Sequence, residues 1–344
     1  MKLLILTQRV DENDPILGFF HRWLEEFSKH CEQIKVICLY EGAHVLPANV
    51  EVLSLGKEKG ESNFKYIRNF YLYIWSRRKD YDKVFVHMNE EYVLLGGILW
   101  KLLGKQVFFW RNHPRGGFLT RISVMLSKKV FCTSKFSFTA RYKKTEIMPV
   151  GIDTAIFTNN PGSTRLPRSI VCIGRISPIK NIDVIINALG AIHRKGLLFT
   201  TAIVGDPMLG DESYLKSLRD LAHNDGIDGY VHFMKGIKNS LAPEIYNHYE
   251  IFINLTPSGS FDKTIIEAAL CGCMLLVSNS DLRLSLSPES IVKEGDMEEL
   301  ERKLALMLGY SDKERAANIQ RSLILGREHS LDALASKLFL SLQS

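Results

Sequence analysis

The chain has 344 residues, 46% of them apolar and 24% charged, with a formal net charge of +6. That length suits about two domains, and the balance of residues excludes a disordered or fibrous chain. No apolar run reaches the roughly 18 residues of a membrane-crossing helix; the closest, Tyr92 to Leu103, is interrupted by Gly96, Gly97 and Lys101, so no spanning segment is expected.

Lys2 to Thr7 predicts a buried strand. The chain enters it directly, without a signal peptide's longer apolar run and small-residue cleavage site, so no secretory leader is expected. The loop QRVDENDPILG follows, then an amphipathic helix over Phe19–His30 and strands at Ile34–Leu39 and Val50–Leu53. Asn63 to Arg78 reads as a helix loaded with Phe64, Tyr66, Phe70, Tyr71, Tyr73 and Trp75 and ending in Arg77-Arg78-Lys79. Such a segment can lie in a membrane interface. The favoured reading is packing on a core, its basic end matching the helix dipole. Strand Val84–His87, helix Glu90–Leu103 and strand Val107–Trp110 come next, then strand Val130–Cys132, helix Ser134–Tyr142 and strand Glu146–Met148. Near-continuous apolar strands alternating with helices predict a parallel sheet covered on both faces.

Residues 149–168 are rich in Pro, Gly, Asn and Ser and read as a linker. The pattern then restarts. Strand Ser169–Ile173, helix Ile179–His193, strand Phe199–Val204, helix Ser213–Asn224, strand Val231–Phe233, helix Ala242–His248 and strand Ile251–Asn254 lead to a polar loop at 256–260. Helix Lys263–Leu270, stopped by Gly272, strand Met274–Val277, helix Met297–Leu308 and two further helices finish the chain. The fold class is therefore α/β. Two tandem Rossmann-like, doubly wound domains are expected, over residues 1–158 and 159–325, with an interdomain cleft. A C-terminal helix at 326–344 is expected to pack back towards the first domain.

Residues 1–158 hold 24 lysines and arginines against 16 acids, a net +8; the remainder holds 20 against 22, a net −2. A basic first half fits an anionic partner such as a membrane surface or a phospholipid-linked acceptor. No nucleic-acid recognition motif accompanies it. The six cysteines lack metal-ligand spacing, Cys271 and Cys273 having no second pair, so free buried thiols and a cytoplasmic location are expected.

Several places can carry chemistry. The loop at 256–260 ends a strand and opens a helix, a ready anion site, and Glu267 one turn into that helix can accept ribose hydroxyls. Strand–loop–helix units are common, however, and most bind nothing. Arg175 and Lys180 flank the turn after strand Ser169–Ile173, so both cations can meet one diphosphate, or simply face solvent. Gly18, where the first helix begins, allows close approach of a phosphate or sugar. His113 follows strand Val107–Trp110 and can donate to a sugar hydroxyl, or be merely exposed. His87 is a weaker candidate of the same kind.

MPVGIDTAIF, GRISPIKNIDVIINAL, AIVGDP and SGSFDKTIIEAALCG occur in this order and at these spacings. Together they resemble the group 1 (family 4) glycosyltransferases of the two-domain GT-B fold, over nearly the whole chain and most strongly from 148 to 278. The DPILGFFHRWLEEF stretch is similar to the family's acceptor-side loop. The resemblance implies a retaining, metal-independent transfer of a sugar from a nucleotide-diphosphate donor to a glycan, lipid-linked or small-molecule acceptor. No cofactor beyond that co-substrate is implied, and UDP is favoured over GDP because uridine is the commoner base in the family. By motif position Arg175 and Lys180 would meet the diphosphate and act in catalysis with His113. Gly18, Gly205, Ser260, Phe261, Asp262, Lys263, Thr264 and Ile265 would line the donor, and Glu267 would hold the ribose. The implied acceptor hydroxyl attacks from the face the leaving group departs, and the departing phosphate takes its proton. The family's two glutamates stand eight residues apart; here the second is Glu267 and the first position holds Gly259. Asp262 and Lys263 are then candidates for the donor-sugar contacts. The alternative readings are a nucleotide-sugar epimerase or hydrolase, and a non-catalytic sugar-nucleotide-binding subunit.

Overall fold

The computed structural model describes residues 1–14, 16–259 and 261–344. It divides into two units, one of Met1–Gly151 with Leu331–Ser344 and one of Ile152–Ser330.

The first unit runs β1 (Lys2–Val10), α1 (Phe19–Ser28), β2 (Gln33–Glu41), β3 (Val50–Ser54), α2 (Asn63–Ser76), β4 (Lys83–His87) and α3 (Glu90–Leu102). It continues through β5 (Gln106–Trp110), α4 (Phe118–Leu126), β6 (Lys129–Cys132) and β7 (Thr145–Ile147). All strands are parallel, in the order β3-β2-β1-β4-β5-β6-β7. The apolar run of β1 follows from burial on both faces. Leu3 and Ile5 pack with Phe20, Trp23 and Phe27 of α1. Leu4 and Leu6 pack with Phe70 and Ile74 of α2 and Tyr92, Val93 and Trp100 of α3.

The second unit runs β8 (Ser169–Ile173), α5 (Ile182–Arg194), β9 (Thr200–Val204), α6 (Glu212–Asn224), β10 (Val231–Met234), α7 (Ala242–His248) and β11 (Ile251–Asn254). It ends with α8 (Lys263–Leu270), β12 (Met274–Val277), α9 (Met297–Leu308) and α10 (Asp312–Glu328). Its parallel sheet has the order β10-β9-β8-β11-β12. The last helix, α11 (Leu331–Gln343), belongs to the first unit. Its Phe339 ring lies 5.4 Å from Phe27 and stacks on His30 at 4.8 Å. Both strand orders reverse beside the first strand, at β1/β4 and β8/β11. The loops leaving these neighbours diverge to opposite faces, which opens a crevice where such sheets bind ligands.

The structure corrects the sequence reading in places. Residues 118–126 form a helix that the sequence reading passes over, because Gly116 and Gly117 precede it and its Phe118, Leu119 and Met125 are exposed rather than patterned onto the core. Residues 134–142 form only a short 3₁₀ turn at Phe138–Arg141. The stretch at 152–168, read as linker, is bound into the second unit by Arg165. Its guanidinium donates to the carbonyls of Tyr246 (2.9 Å), Tyr249 and Cys271 and to Asn159 Oδ1 (3.2 Å). The bonds span α7, the loop to β11 and the end of α8.

Arg165→Ala removes a charged donor from several carbonyls at once and is expected to destabilise the second unit by about 3 kcal/mol. Chemical denaturation monitored by circular dichroism would measure this, and a loss below about 0.5 kcal/mol would mean that water replaces the guanidinium freely.

Candidate active site

The β8/β11 switch point holds a built polar cluster. The loop leaving β8 carries Gly174, Arg175 and Lys180. Gly205, which follows β9, presses against it: a Cβ there would lie 1.9 Å from the Gly174 carbonyl oxygen, so only glycine fits. Ile176 N–H donates to Asp206 O at 3.0 Å and fixes the two loops together. Arg175 is exposed, its Nη1 3.4 Å from Met208 Sδ. Lys180 turns inward, and its ammonium pairs with Asp262 and donates to Thr256 Oγ1 at 3.2 Å. Asn181 then opens α5 in the left-handed region (φ 50°), which asparagine tolerates, and donates to Leu255 O at 2.8 Å.

Asp262 is the N-cap of α8. Its Oδ1 accepts from Thr264 N–H (3.2 Å) and Thr264 Oγ1 (2.9 Å), while its Oδ2 accepts from Lys180, Asn254 Nδ2 (2.8 Å) and Thr256 Oγ1 (3.2 Å). Burial alone would raise its pKa; the Lys180 charge and these hydrogen bonds outweigh it and hold the carboxyl down at about 2. Ile265 N–H is taken by the backbone carbonyl of Asp262 at 3.2 Å. The amides of Thr264 and Ile265 are thus both engaged by Asp262, and so are both oxygens of the carboxylate.

Glu267 is buried one turn further on. It accepts from Asn239 Nδ2 at 3.0 Å and from Tyr246 OH at 3.1 Å. Burial pushes its pKa up to about 7 against the pull of those two donors, and the Asp262 charge adds to the rise. Burial moves Lys263 the opposite way, well below the usual lysine range, with Glu267 drawing it partly back. Phe261 is buried, its ring 5.1 Å from that of His329. Gly259 has φ +103°, a conformation that glycine adopts without strain. Ser260 lies outside the described residues. The sequence reading missed Asn239, Tyr246, Asn254 and Thr256; Asn254, a polar residue closing an apolar strand, was the legible signal among them.

Two expected residues lie in the first unit. Gly18 opens α1, where a Cβ would meet the carbonyl oxygens of Asp14 at 2.6 Å and Glu12 at 2.9 Å; its smallness serves the loop's own backbone. His113 is exposed after β5, and its Nδ1 accepts from Arg115 N–H at 3.0 Å. His87 is buried instead, stacked on Phe20 at 4.3 Å. Among the described residues no cluster of His, Cys, Asp or Glu can hold a metal ion.

The family described as "Glycosyl transferases group 1" matches residues 167–309, the segment that carries the cluster. The match covers 143 of the chain's 344 residues. The chain is 24% identical, over 202 residues, to the GDP-mannose-dependent alpha-(1-6)-phosphatidylinositol monomannoside mannosyltransferase of Mycobacterium tuberculosis, covering 54% of this chain and 48% of that protein. It is 27% identical, over 139 residues, to the GtfA subunit of a UDP-N-acetylglucosamine–peptide N-acetylglucosaminyltransferase of Streptococcus pneumoniae, covering 40% and 26%. The chain therefore spans about half, or less, of the length of these relatives. Among solved structures it is similar to Anabaena Alr3699/HepE in complex with UDP, with a TM-score of 0.78, 18% identity and full coverage of both chains. The sucrose-phosphate synthase of Thermosynechococcus elongatus gives a TM-score of 0.76 at 14% identity, covering 100% and 98%. The fold is GT-B.

The raised pKa of Glu267 has a measurable consequence. An acid whose folded pKa lies above its unfolded one costs nothing below about pH 4.5, and its full cost is present above about pH 7. That cost is about 3 kcal/mol. Between pH 5 and 7.5 the melting temperature of wild type should fall relative to that of Glu267→Gln, which cannot ionise. Parallel curves across that window would show that the carboxyl titrates normally.

Proposed function

We propose that the chain transfers a sugar from a nucleoside-diphosphate sugar to a hydroxyl acceptor, with retention of anomeric configuration and without a metal ion. The meeting of Lys180 with the α8 N-terminus at the β8/β11 switch point, with Arg175 exposed on the same β8 loop and all inside the matched segment, carries this reading. A diphosphate leaving group gains negative charge as its bond to the anomeric carbon breaks. Fixed cations and helix amides that meet that charge lower the barrier, doing the work that a metal does elsewhere. Glu267 is assigned the ribose hydroxyls: each of its oxygens accepts one protein donor and keeps capacity for another. For His113 the reading is a hydrogen bond to the transferred sugar. Retention rests on the family resemblance, the departing phosphate taking the acceptor's proton on the same face. The curated relatives are named for GDP-mannose and UDP-N-acetylglucosamine, and Alr3699/HepE was solved with UDP, which supports a nucleoside diphosphate and leaves its base to experiment.

The first unit supports contact with an anionic membrane surface. No helix of the described residues is long and apolar enough to cross a membrane. Helices α2, α3 and α4 cover one face of the first sheet, and their outer sides expose Phe64 (78%), Trp75, Ile98, Leu102 (80%), Phe118 and Met125. Exposed Arg68, Lys79, Lys101 and Arg121 accompany them. Apolar side chains ringed by cations match the layered chemistry of an anionic lipid headgroup region. The six free, buried cysteines support the cytoplasmic side.

A thermal-shift panel of UDP, GDP, ADP, TDP and CMP on wild type and Arg175→Ala tests the transferase reading. One diphosphate at 100 times its Kd is expected to stabilise wild type by about 2.7 kcal/mol and the variant much less. Silence across the panel would replace the transferase with the non-catalytic reading. Flotation with phosphatidylglycerol vesicles tests the second proposal: binding should weaken with salt and drop several-fold in Phe64→Ser/Trp75→Ser. Binding indifferent to both would remove this face from consideration.

A further inference from the structure

The anion-binding donors of the proposed site are not waiting for a ligand. Lys180 Nζ, Thr264 N–H and Thr264 Oγ1 all point at one carboxylate, that of Asp262. The pair is largely shielded from water, with side-chain exposures of 14% for Lys180 and 12% for Asp262. Asn254 and Thr256 add two more donors to the same oxygens, so the carboxylate is received as an incoming phosphate oxygen would be. The sequence places this acid where the resembling family has a small, Gly-rich run.

We propose that Asp262 is a resident anion of the donor site: its carboxylate holds the Lys180 and α8 N-terminal donors, and a diphosphate gains them only by displacing it. This deepens the donor reading given above and rests on it. The electrostatics follow directly. A buried ammonium already neutralised by a carboxylate offers an incoming phosphate far less attraction than a bare one. Displacement also leaves a second negative charge beside the ligand. Asp262 thus lowers the affinity for every diphosphate, product included, and shifts discrimination between donors onto the nucleoside and sugar.

Asp262→Asn keeps an N-cap acceptor for Thr264 N–H and removes the charge, and asparagine is as good a cap as aspartate. Calorimetric titration with inorganic pyrophosphate, UDP and GDP compares it with wild type. The expected result is at least about a tenfold fall in the Kd of pyrophosphate, the factor that 1.4 kcal/mol supplies. That gain should be lost again in Asp262→Asn/Lys180→Ala. Asp262→Ser, which also caps without charge, should give the same gain and guards against a folding defect, which circular dichroism would reveal. Unchanged or weaker pyrophosphate binding in both folded single variants overturns the proposal and makes Asp262 the residue that positions Lys180 for its ligand. A pyrophosphate gain without any UDP or GDP binding would uphold the resident anion and sink the nucleotide-donor reading instead.

Discussion

One largely shielded ion pair ties together the loops of the second unit. Lys180 leaves the β8 loop, Asp262 caps α8, and Asn254 and Thr256 come from the end of β11 and the loop after it; the three donors meet on one carboxylate oxygen, Asp262 Oδ2. A carboxylate in such a place is costly unless its charge is matched and its lone pairs are filled. Here both conditions hold, so the cluster fixes the two loops at the point where the strand order reverses. Gly205 extends the constraint to the β9 loop, because its missing Cβ is what lets that loop touch the Gly174 carbonyl.

Two carboxyls five residues apart, Asp262 and Glu267, show how environment rather than residue type sets charge. Asp262 has a close cation and is held at about 2; burial raises Glu267 to about 7 against its donors Asn239 and Tyr246 and the pull of Lys263. Each negative charge also resists the other. Near neutral pH one group is a fixed anion and the other is close to its midpoint. That divergence allows the first to serve as a permanent counter-ion while the second both donates and accepts hydrogen bonds.

Much of the architecture was legible because parallel strands covered on both faces must be apolar throughout. LLIL in β1, SIVCI in β8 and IFIN in β11 announce themselves for that reason. Helix α4 was not legible: its exposed Phe118, Leu119 and Met125 break the one-sided pattern on which helix recognition rests. Residues 134–142 failed the other way, a helix-like composition that the short link from β6 to β7 leaves as a single turn. Within the site, the motif positions of Lys180, Asp262 and Glu267 could be read, but their partners could not. Tyr246 reaches Glu267 across 21 residues and Lys180 reaches Asp262 across 82, and nothing local encodes those meetings.

The departure at Gly259 gains a physical meaning from the same geometry. A residue at φ +103° is comfortable only as glycine, so a glutamate at this place would strain the loop as it is now built. An acid is absent at 259 and present at 262, at the helix cap. At the cap the carboxylate cannot reach outward, since Thr264, Asn254 and Lys180 consume its oxygens. The Asp262 acid is directed at the protein's own cation, Lys180. On the proposed reading, the site's phosphate affinity is set by how readily that internal pair opens.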